Sequence, residues 1–116
     1  MIPFSETLAV SGLELRRAKP LVLQVNTGTY CNMLCRHCHH DAGPHRAAET
    51  MGEGTAREVI SFARRGAFAV ADITGGAPEL SPVLPLLVEG LSSACPKVVL
   101  RSNLTALAGA NGSELA

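Results

Sequence analysis

The 116-residue chain predicts an α/β fold: about three parallel strands with helices on their outer face. Three short apolar runs, each opening near a proline or glycine, carry that expectation, and helix-period stripes fill the gaps between them. Leu21–Asn26 reads as a buried first strand, a short aliphatic and β-branched run that starts after Lys19-Pro20 and is broken by Gly28. A helix is expected from Thr55, whose spacing to Glu58 is that of a capping box, with Val59, Ile60, Phe62 and Ala63 as its apolar stripe and Gly66 as its stop. Ala69–Thr74 is the second strand, and Asp72 inside it needs a partner if buried. Ser81 with Pro82 behind it marks a second helix start, and Leu84, Leu87, Val88 and Leu91 line one face. Val98–Asn103, after Pro96, is the third strand.

The segment between the first strand and the first helix carries the chemistry. Cys31, Cys35 and Cys38 follow a C-x3-C-x2-C spacing, which offers three thiolates where a [4Fe–4S] cluster usually takes four. One iron is then open to a small molecule, as in metal sites that work rather than merely hold. A loop after the carboxyl end of a parallel strand is also where α/β folds place ligands. On the residues alone, a zinc site of these cysteines with His37, His39 or His40 is an alternative. A disulfide framework is not expected in a reducing compartment. Cys95 reads as a small buried or loop thiol. His39, His40 and His45 read as polar residues of a Gly-Pro turn, and Arg64-Arg65 as a solvated helix end. Gly75-Gly76 alone is as much a turn as a cradle for a ligand.

Taken together, these motifs resemble the radical S-adenosylmethionine (SAM) enzymes, and within them the arsenosugar-biosynthesis subfamily. The longer strings are LQVN at 23–26, CRHCHHDAGP at 35–44, DITGGAPEL at 72–80 and RSNLT at 101–105, so the likeness covers residues 21–105. It implies a partial (βα) radical SAM barrel. It implies that Cys31, Cys35 and Cys38 hold a [4Fe–4S] cluster whose open iron binds S-adenosyl-L-methionine, which is cleaved to a 5′-deoxyadenosyl radical on reduction by a donor such as flavodoxin or ferredoxin. In the family the glycine segment after strand two binds the SAM amino group. Here it is Gly75, Gly76, Ala77, Pro78 and Glu79, longer than the simple Gly-Gly-Glu, which leaves the binding atom as Glu79 or a nearby carbonyl. Ser102 and Asn103 match positions that face the SAM carboxylate or ribose, and His37 a position along the adenine. No catalytic residue on the substrate side is implied within the chain. The subfamily substrate is dimethylated trivalent arsenic. The alternatives are a radical SAM enzyme acting on a peptide or small metabolite, and a non-catalytic Fe–S or zinc-binding module.

Composition excludes other classes. Ten basic and ten acidic side chains leave no field to attract nucleic acid. No apolar run approaches the roughly 20 residues of a membrane span, and the first residues lack the features of a signal peptide. A cytoplasmic location is expected. The organisation expected is a lead-in at 1–20, the first half of a radical SAM core at 21–105 and a tail at 106–116. Three strand units would leave a barrel half built, so a truncated reading frame, not competent by itself, is expected.

Overall fold

A computed structural model describes residues 1–108; the part of the expected tail at 109–116 lies outside the described residues. Three strands form one parallel sheet in the order β1 (Val22–Asn26), β2 (Val70–Thr74), β3 (Lys97–Leu100). Val25 lies opposite Ile73, and Ile73 opposite Leu100. Helix α2 (Glu53–Gly66) joins β1 to β2, and α3 (Leu84–Ala94) joins β2 to β3. A short helix, α1 (Phe4–Val10), precedes the sheet and buries none of its residues. No helix among the described residues is long and apolar enough to cross a membrane.

The alternation of a strand decides what the sheet buries. Leu23, Val25, Ala71, Ile73 and Val98 face the helices and join Ala56, Ile60, Ala63, Leu84, Leu87 and Leu91 in one core. The opposite face carries Gln24 and Asp72 and has no covering layer among the described residues, so the expectation that β1 is a buried strand is corrected. Only Val25 in it is buried, and Val22 is more than half exposed. Asp72 has the partner its burial demands. The Arg101 guanidinium makes a forked contact with both carboxylate oxygens at 2.7–3.1 Å and holds its carboxyl below the usual range.

The helix ends differ from the expectation in detail. α2 starts two residues before Thr55, with Gly52 as N-cap and no side-chain cap, because Glu53 already pairs with Arg57 one turn on. Its left-handed terminal residue is Ala67 (φ 49°), one past Gly66. Ser81 does not cap α3. A turn through Pro82 intervenes, Val83 is the N-cap and Pro85 sits in the first turn. Along the stripes, Ala56 is buried and Phe62 is not, and Val88 is over a third exposed. β3 ends at Leu100, so Ser102 and Asn103 lie on the segment beyond the strand.

Candidate functional site

The loop carrying the three cysteines is closed by backbone at its base. After β1, Thr27 bonds the Thr74 carbonyl twice, through its N–H (2.9 Å) and hydroxyl (3.1 Å), which extends the β1–β2 pairing past the strands. The chain returning from the loop then runs antiparallel to this stretch. Thr29 N–H donates to the Glu49 carbonyl (2.9 Å) and Met51 N–H to the Thr27 carbonyl (2.8 Å). Gly28 sits between them at φ 131°, where a Cβ would fall 2.1 Å from the Glu49 carbonyl oxygen, so the approach needs glycine. Higher up, Gly43 N–H donates to the Thr29 carbonyl (3.1 Å) and Cys31 N–H to the Gly43 carbonyl (3.3 Å). These bonds form a neck, with residues 31–42 above it.

Side chains lock the neck. Arg46 donates to both carboxylate oxygens of Glu49 at 2.9 and 3.1 Å and also pairs with Asp41. Glu49 accepts the Thr29 hydroxyl at 2.5 Å, and that bond followed by Arg46 holds its carboxyl below the ordinary value. Residues on both sides of the loop are therefore tied through the Glu49 carboxylate, which the Arg46 guanidinium holds in place.

The other two motifs meet this loop at the carboxyl end of the sheet. Gly76 N–H donates to the Gly28 carbonyl (2.9 Å) and Ala77 N–H to the Tyr30 carbonyl (2.8 Å). A Cβ on Gly76 would lie 2.2 Å from that Tyr30 oxygen. Ala77 and Leu80 pack with Cys31, Cys38 and Ala42 in a small second core. From beyond β3, the Asn103 amide reaches Cys31 Sγ (3.7 Å) and Asn32 Oδ1 (3.2 Å), and Asn32 donates to the Thr105 hydroxyl (2.8 Å). Cysteine loop, glycine pair and Ser102–Asn103 segment thus share one rim.

Placement of the individual residues is less uniform. Ser102 Oγ is occupied by Leu104 N–H (2.8 Å), and the His37 ring is exposed. Both carboxylate oxygens of Glu79 are buried with no hydrogen-bond partner, and they line a groove between α3 and β3 on the helix side of the sheet. The Gly75 and Gly76 carbonyls accept no hydrogen bond among the described residues. His39, His40 and His45 are exposed. Asn32, Thr27, Thr29, Arg46 and Glu49 were not singled out from sequence; scattered polar residues with no periodic pattern carry no signal that could have found them.

For a metal, donor chemistry and donor geometry give different answers. Cys31, Cys35 and Cys38 are unpaired thiols. Backbone N–H groups, Ala42 foremost (3.5 Å to Sγ) and then His40, hold the Cys38 thiol below its ordinary value, which favours the thiolate a metal takes. N–H···S bonds of this kind also tune iron–sulfur clusters. Yet among the described residues no three His, Cys, Asp or Glu side chains converge to hold an ion. The donors fit a cluster in kind, and the loop must close for their sulfurs to meet. Cys95 is different: it is buried in the main core, and burial pushes its thiol up. No known protein family, no curated protein and no solved structure matches the chain.

Proposed function

We propose that this rim binds a [4Fe–4S] cluster through Cys31, Cys35 and Cys38 and a SAM molecule beside it, and that the chain is part of a radical SAM enzyme. The observation that carries the reading is the meeting of the three motifs at one end of a parallel sheet, with the Asn103 amide on Cys31 Sγ. When bound, the cluster and SAM would supply one-electron cleavage of a C–S bond. The chain's own residues supply placement. The neck fixes where the cysteine loop stands, and the backbone amides around Cys38 favour its thiolate form. The free carbonyls of Gly75 and Gly76 are suited to accept an ammonium, while Glu79, turned toward the α3–β3 groove, is not on their side. Asn103 holds Cys31 through its amide and can exchange that bond for a ligand carboxylate. A dimethylated trivalent arsenical as substrate rests on the likeness of the strings at 23–26, 35–44, 72–80 and 101–105.

Anaerobic reconstitution with iron and sulfide tests the proposal. The expected product is a brown protein with the absorption and, once reduced, the paramagnetic signal of a [4Fe–4S] cluster, perturbed by added SAM. Replacing Cys35 or Cys38 with alanine should abolish it, and Cys95→Ala should not. Stoichiometric zinc and no iron in protein purified without oxygen would move the site to the zinc reading.

A further inference from the structure

Two unsatisfied features complement each other. One is the groove between α3 and β3, about 920 Å³ in volume. Its walls are apolar, with Val88 and Leu100 each 37% exposed, and it adjoins the edge of β3 that pairs with no strand among the described residues. Inside it, the Glu79 carboxylate oxygens and the Ser81 hydroxyl are buried without any hydrogen-bond partner, and Glu89 stands at its side. No basic side chain lines it. A buried carboxylate with no donor is unfavourable enough to call for a cation.

The other feature is the N-terminal arm, residues 11–20, which belongs to no helix or strand and is exposed throughout. It alternates Leu13 and Leu15, 62% and 76% exposed, with a basic run of Arg16, Arg17 and Lys19. Arg16 pairs with Glu14; Arg17 and Lys19 make no ion pair among the described residues. The groove offers apolar walls and acid, and the arm offers leucines and base on a segment outside any helix or strand, which is free to add to a strand edge.

We propose that the arm of one copy of this chain docks in the α3–β3 groove of a second copy. Leu13 and Leu15 cover the groove's apolar wall, and Arg17 or Lys19 reaches Glu79, Ser81 and Glu89. Reciprocal exchange of the two arms closes a two-fold dimer and covers both β3 edges. This proposal does not depend on the cysteine site being a cluster.

Sedimentation velocity from micromolar to submillimolar concentration tests it. The expected result is a monomer–dimer equilibrium that weakens as salt is raised. Removing residues 1–19, which bury nothing, should abolish the dimer while leaving the far-ultraviolet spectrum of the sheet and helices intact. Arg17→Glu with Lys19→Glu should weaken association roughly tenfold or more, and Glu89→Lys, on the exposed face of α3, should do likewise. A monomer at every concentration overturns the proposal, as does a dimer indifferent to arm removal or to the charge reversals.

Discussion

Gly76→Ala probes the contact on which the shared rim depends. The added methyl would sit 2.2 Å from the Tyr30 carbonyl oxygen and 2.7 Å from its carbon, both backbone atoms that cannot swing away. Ordinary contact needs more than 1 Å of additional separation. Opening that gap strains or breaks two hydrogen bonds, Ala77 N–H to Tyr30 (2.8 Å) and Gly76 N–H to Gly28 (2.9 Å). At about 1 kcal/mol for each bond and about 1–2 kcal/mol for overpacking, the loss is about 3–4 kcal/mol. For a domain of this size that lowers the melting temperature by about 10–20 °C. Thermal unfolding followed by circular dichroism measures it, with Gly52→Ala as the control because a Cβ there meets nothing within 4 Å. Equal melting temperatures for the two variants would refute the steric argument. Weakened SAM binding at unchanged stability would instead make Gly76 a cradle for the ligand, and its closeness to Tyr30 incidental.

Ala67→Gly should raise stability by about 0.5–1 kcal/mol, since Ala67 holds a left-handed conformation (φ 49°) that glycine adopts freely; denaturant unfolding midpoints report it. Asp72→Asn should lower stability at neutral pH, because Arg101 loses its anionic partner. The folded-state pKa of Asp72 is lowered, so its contribution is present above the unfolded value of about 3.9 and is lost as pH falls through the folded value. The gap between wild type and variant should therefore hold steady above about pH 5 and close in strongly acidic buffer. A gap that persists at the acid end would point to packing rather than charge.

What the sequence revealed, and what it hid, follows from the range of the interactions. The three strands and two helices were legible because apolar period is a local property, and so was the need for an Asp72 partner. Arg101, 29 residues away, was not legible as that partner, since only the register of β2 against β3 brings it near. Helix starts failed for a similar reason. Thr55 and Ser81 have the right neighbours for caps, but the Glu53–Arg57 pair and the turn through Pro82 move the first helical residue away from each. The cysteine spacing was plain, while the neck beneath it, built from carbonyls and N–H groups, has no side-chain code at all.

That neck also limits what the cysteines themselves do for the fold. Its bonds run between Thr27, Thr29, Cys31, Gly43, Glu49 and Met51 through backbone atoms, so no thiol is needed to hold the base of the loop. Cys35 and Cys38 stand above the base and are partly exposed, and replacing either removes a donor while leaving the neck intact. Cys31 differs in degree, 6% exposed and packed with Ala42 and Ala77 where Cys38 is only partly buried against them, so its loss costs the most packing. Under the proposed reading, a metal would be taken up by closure of residues 31–38 over a base that is already built, and the ordering cost would fall on that short segment. The glycine pair belongs to the same logic. Gly28 and Gly76 let three pieces of backbone come within hydrogen-bond reach at one point, which brings the parts of the rim together through the chain's own bonds.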